Sequence, residues 1–115
     1  MVNKIILLDR EFRLGLGFLN LLIEGTGKDL ITLGNEVQTN APVIVPQMMY
    51  YALAYAHKRA NTELELSIDD VYDLIDENGG VSGAFWNDFL IAFAKSMNQD
   101  VPVDESKKKE VKTKK

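Results

Sequence analysis

The sequence predicts an α+β fold that is mainly α: an N-terminal β-hairpin, about five helices in a compact bundle, and a disordered, charged C-terminal tail. Three observations carry this expectation. Residues 4–14, KIILLDREFRL, are β-rich and end in an alternation of polar with apolar. From Leu16 to Met97 the apolar residues recur instead at spacings of three and four, in runs separated by Gly, Asn and Pro. Beyond Gln99 charges dominate and no apolar period survives. A period of two marks a strand and a period near 3.6 a helix, and a segment with neither has no face to bury.

In the hairpin, Lys4 to Leu8 reads as the first strand, Asp9 and Arg10 as a polar break, and Glu11 to Leu14 as the second strand. Gly15 and Gly17 mark the step into a first helix, where Phe18, Leu19, Leu21, Leu22 and Ile23 crowd together with only Asn20 and Glu24 polar. A backbone without Cβ can turn sharply there, or let another chain segment approach. Gly25, Thr26 and Gly27 form a break, and Leu30, Leu33 and Val37 then define a second helix with Asp29 in its first turn, the favourable end of the helix dipole for an acid.

Gln38 to Pro46 reads as a connection with room for a turn of helix, because a residue before proline is pushed towards extended backbone. Pro46 suits the first position of a third helix, where its missing N–H has no intrahelical partner to lose. That helix runs through MMYYALAYAHKRA, with His57, Lys58 and Arg59 in the last turn and Asn61 as its stop. Ser67 to Asp70 has capping-box spacing and opens a fourth helix with Ile68, Val71, Tyr72 and Ile75 on one face. Asn78, Gly79 and Gly80 make a turn, and Ser82 is placed to cap a last helix whose Phe85, Trp86, Phe89, Leu90, Phe93 and Met97 form the heart of the core.

The 115 residues fit a single globular domain over residues 1–98 and a lysine-rich tail over 99–115, and a hydrophobic content of 46% is ample for one core. The N-terminal apolar stretch is too short for a secretion signal. The longest apolar run, Met48 to Ala56, falls far short of the roughly 20 residues that span a bilayer. A chain without cysteine has no thiol nucleophile and no cysteine-based zinc site, and it suits a reducing cytoplasm. Through Asn98 there are 7 basic and 13 acidic residues, so the body repels phosphate backbones and nucleic acid is not an expected ligand. No membrane contact is expected either.

Catalytic patterns fail one by one. His57 is the only histidine and stands beside Lys58 and Arg59 at a helix end, where it complements the dipole. An EF-hand loop begun at Asp76 would need an oxygen ligand where Gly80 stands, a glycine where Val81 stands and a glutamate where Asn87 stands. Asp69, Asp73 and Asp76 read instead as a solvated acidic stripe. The GTGKD run puts Asp29 where a phosphate loop requires the magnesium-binding hydroxyl. A helix-turn-helix would present Phe85, Trp86 and Asp88 to the groove, the wrong chemistry for reading DNA. No enzyme, cofactor or metal is expected.

What remains is surplus apolar surface. Met48 to Ala56 is apolar all round its helix, so it either threads the domain centre or offers Met48, Met49, Tyr50, Tyr51 and Tyr55 to another protein. The hairpin is a second candidate contact, through Ile5 and Leu7, because two strands leave edges unpaired.

The hairpin with its LGLGFL strand-to-helix step, the compact helices behind it, the stretch from Leu66 to Phe93 and the charged tail together resemble the tail assembly chaperones of long-tailed bacteriophages. The resemblance covers Lys4 to about Asn98. It implies a protein of the host bacterial cytoplasm that binds the tape measure protein, helps recruit tail tube protein, forms homo-oligomers and is not retained in the virion. It also implies a longer form made by programmed frameshift, with Lys107 to Lys109 or Lys114 and Lys115 encoded by slippery adenine-rich codons; a gene lacking such a heptamer would count against this. No family catalytic residue transfers. The alternatives are a structural tail-completion or head-tail connector protein retained in the virion, or a small acidic regulatory or inhibitor domain.

Overall fold

The computed structural model describes residues 4–99; the expected tail from Gln99 onward falls almost wholly outside them, and so do the lysines of the proposed frameshift site. An antiparallel hairpin, β1 (Lys4–Leu7) and β2 (Arg10–Arg13), is followed by α1 (Leu16–Thr26), α2 (Leu30–Thr39), α3 (Ala41–Ala60), α4 (Ile68–Glu77), a 3₁₀ turn (Gly80–Ser82) and α5 (Ala84–Gln99). The architecture is the α+β, mainly helical one that the periodicities predict.

The hairpin register pairs Ile5 with Phe12 and Leu7 with Arg10. The turn is therefore Leu8–Asp9, one residue earlier than the polar break at Asp9 and Arg10 suggests. Both turn residues have positive φ, 53° and 60°, as a type I′ turn requires, and its twist matches that of the strands. Burial explains the shift: this register places Ile5, Leu7 and Phe12 on the face that packs inward, with Phe12 fully buried between the strands and α5. The Phe12 ring lies 5.9 Å from those of both Phe85 and Phe89, tilted or edge-on as the ring quadrupoles favour.

The largest departure from expectation is the start of α3. It begins at Ala41, with Pro42 in its first turn, so Pro46 lies inside the helix and not at its head. Asn40 alone separates α2 from α3, and the segment expected as a connection is mostly helix. Pro46 removes one main-chain hydrogen bond there, and the residue before it is normally driven from helical backbone. Packing overrides both, because Ile44, Val45 and Pro46 are buried and an extended path would pull them from the core. α3 is in fact the central element, with Ile44, Val45, Met48, Met49, Ala52 and Leu53 at most 1% exposed. Of the two readings of this helix, the structure selects the one that threads the domain.

Smaller corrections concern the caps. Asp29 precedes α2 as its N-cap, not within its first turn, and accepts from Thr32 N–H at 2.8 Å. The capping box of α4 forms as expected, Ser67 Oγ accepting from Asp70 N–H and Asp70 Oδ2 from Ser67 N–H. Ser82 does not cap α5; Gly83 precedes that helix, and its carbonyl accepts from Asn87 N–H at 3.1 Å. A Cβ on Gly83 would sit 2.1 Å from the Asn78 carbonyl oxygen, so the turn closes on itself where serine could not. Asn61 ends α3 in the left-handed conformation, with Thr62 N–H donating to the His57 carbonyl.

Candidate functional site

The α1–α3 contact decides which tyrosines of α3 are free to meet a partner. Gly17 and Gly25 lie two turns apart on α1, as Tyr55 and Tyr51 lie one turn apart on α3. A Cβ on Gly17 would fall 2.2 Å from the Tyr55 ring and hydroxyl, and one on Gly25 would fall 2.0 Å from the Tyr51 hydroxyl. The rings thus rest on bare backbone, which side chains at those positions would occupy. Tyr55 is held further by Arg59, whose guanidinium donates to its hydroxyl at 3.3 Å and lies 5.9 Å from the ring centroid.

Each expected contact residue can now be placed. Met48 and Met49 are buried in the core, and a buried side chain meets a partner only if the domain opens. Met48 floors a small apolar recess of about 110 Å³ walled by Leu22, Leu33 and Phe93, with room for little more than one apolar side chain. Tyr55 is half-buried against α1. Tyr51 is half-buried, and its ring stands edge-on to Tyr50 at a centroid distance of 5.3 Å. Ile5 and Leu7 are half-buried under the hairpin, while Ile6 between them is exposed.

Two open grooves adjoin these residues. The first lies between α3 and α4 and holds about 420 Å³, lined by Gln47, Tyr50, Tyr51, Ser67, Ile68 and Tyr72. It joins three tyrosine rings, Tyr50 and Tyr51 from α3 and Tyr72 from α4; the exposed acids Asp69, Asp73 and Asp76 lie elsewhere on α4. Tyr50 belongs to the expected Met48 to Tyr55 face; Tyr72 does not. Its spacing places Tyr72 on the same face of α4 as Ile68, Val71 and Ile75, yet it is 42% exposed. Periodicity places a residue on a face but not at its rim.

The second groove, of about 520 Å³, runs between the free edge of β1 and the side of α5 formed by Asp88, Ile91, Ala92 and Lys95. His57 lines a further open groove, of about 340 Å³, between the end of α3 and the hairpin residues Asp9, Arg10 and Glu11. Its Nδ1 is 2.9 Å from the Thr62 hydroxyl, so it belongs to the end of α3. Among the described residues no three His, Asp or Glu side chains are grouped to hold a metal ion, and no helix is long and apolar enough to cross a membrane. Hydrogen bonds from the Thr32 main chain, then from its side chain, lower the Asp29 carboxyl below its ordinary value. That is a cap, not a catalytic acid.

Compared with protein-family models, curated proteins and solved structures, the chain gives no match.

Proposed function

We propose that this protein is an assembly chaperone of the phage-tail type, which binds apolar helical segments of a tape measure protein in the host cytoplasm, keeps them in solution and helps to recruit tail tube subunits. The activity is masking by contact, with no bond made or broken. The observation that carries the reading is the tyrosine-lined groove between α3 and α4. Tyrosine offers a large apolar ring and a polar tip at a cost of only two rotatable side-chain bonds, which suits an adaptable protein contact. The lining itself is uncharged, and the exposed acids Asp69, Asp73 and Asp76 elsewhere on α4 favour an amphipathic helix with apolar residues at spacings of three and four and lysine or arginine flanking them. The resemblance over Lys4 to Asn98 supplies the identity of the partner.

The test is co-purification of the tape measure protein with the wild-type chain and with Tyr50→Ser/Tyr72→Ser. Loss of the partner from the variant, at a melting temperature close to that of the wild type, supports the groove as the contact. Undiminished recovery by a folded variant removes it.

A further inference from the structure

Among the described residues the sheet has two strands, and α5 reaches past its β1 edge. In a hairpin closed by a two-residue turn, Leu7–Arg10 and Ile5–Phe12 are the pairs that exchange main-chain hydrogen bonds. The N–H and C=O groups of Lys4 and Ile6 therefore point away from β2, into the groove. Ile6 is 60% exposed and Ile91, across from it on α5, 54%. Both would lose apolar surface to anything that filled the space between them.

The α5 wall has a self-complementary pattern. Asp88, Ile91, Ala92 and Lys95 stand at i, i+3, i+4 and i+7, one stripe along the helix. Laid antiparallel to itself about a point between Ile91 and Ala92, the stripe brings each Asp88 opposite a Lys95 and each Ile91 opposite an Ala92. We propose that a second copy of this chain docks in this groove about a two-fold axis, β1 pairing antiparallel with β1 to make a four-stranded sheet while the two α5 stripes face each other beneath it.

The register follows from the pleat. Inward faces match across the axis only when each residue opposes one of the same parity, and a slip of one would turn Ile5 and Leu7 outward. Ile6 opposite Ile6 of the second copy meets that condition. It also lets the two residues exchange both of the main-chain hydrogen bonds that β2 leaves unused. Electrostatics favours the same occupant. In a body with 7 basic and 13 acidic residues through Asn98, this groove gathers Lys4 and Lys95 beside Asp88, so two acidic molecules can meet here without the repulsion of their remaining surfaces. Such an interface is isologous and closes at the dimer. It uses a surface separate from the tyrosine groove and does not depend on what that groove binds.

Light scattering on the full chain, over a micromolar concentration series, tests the proposal without any partner protein. The wild type is expected to give twice the chain mass. Asp88→Lys or Lys95→Asp alone places like charges opposite each other and weakens the dimer by about tenfold or more, whereas Asp88→Lys/Lys95→Asp restores the pairing and the dimer. Ile6→Pro removes a main-chain donor that the hairpin itself does not use, and is expected to give monomer. A monomeric wild type overturns the proposal. So does a dimer indifferent to all these changes, or failure of the double exchange to recover the dimer at an unchanged melting temperature.

Discussion

Leu8 holds a φ of 53°, a left-handed backbone that branched side chains adopt at a cost of about 1 kcal/mol and that Asn or Gly adopts readily. With 39% of its surface exposed it recovers only part of that cost by burial. Replacing Leu8–Asp9 by Asn–Gly is expected to raise stability by about 1 kcal/mol in urea unfolding. Unchanged or lower stability would mean that the Leu8 side chain contributes more through contact than its exposure indicates. Glycines divide in the same way. Gly34 lies inside α2 with nothing within 4 Å of a built Cβ, so Gly34→Ala should stabilise by about 0.5–1 kcal/mol through helix propensity. Gly83→Ala would drive a methyl into the Asn78 carbonyl and Gly79 backbone and should destabilise by about 2 kcal/mol or more. Thermal unfolding of the two variants should therefore shift in opposite directions. The sequence shows that glycines cluster at these steps, but not which of them face another segment. Gly17 and Gly25 are legible as junction and break, while their service as seats for Tyr55 and Tyr51 depends on a packing between elements far apart in the chain.

At the scale of elements, period and caps were informative where they act locally. The α4 capping box needs only residues three apart, and it forms as its spacing predicts. The head of α3 was misplaced because the proline rules describe backbone preference, whereas Ile44, Val45 and Pro46 answer to burial contributed by other helices. Asp29 joins an element to pH. Its carboxyl is lowered in the fold by the Thr32 hydrogen bonds, so its contribution to stability is fully present above the ordinary value of 3.8 and is lost as pH falls through the lower folded value. Asp29→Asn keeps an oxygen acceptor but no titrating charge. Its stability should fall less than that of the wild type between about pH 5 and pH 2. Chemical unfolding at both pH values measures the difference, in which the other carboxylates cancel. Equal losses in the two proteins would remove Asp29 as a contributor.

Across the whole molecule, packing separates the tyrosines of α3 and α4 into structural and exposed ones. Tyr72 is exposed at the groove, and Tyr72→Ser should change stability by less than about 0.5 kcal/mol while weakening partner recovery. Tyr55 fills the space above Gly17, and Tyr55→Ser should cost about 1–3 kcal/mol by leaving a gap between α1 and α3. If Tyr55→Ser were instead neutral for stability and damaging for binding, the contact would lie on the α1 side of α3. The fold class was legible because a period of two and a period of 3.6 follow one another without ambiguity. The candidate site was legible only in part. An all-apolar helix announces surplus hydrophobicity, but which residues reach its rim is fixed by the elements packed around it, β2, α1, α2 and α4 among them. The central claim, that this domain keeps an apolar helical partner in solution, is tested most directly by co-expression with the long helical tape measure candidate of the same genome, scoring soluble recovery and co-elution on size exclusion with light scattering. Rescue of the partner in a shared peak is the predicted result. An insoluble partner beside a lone peak of this protein would contradict it.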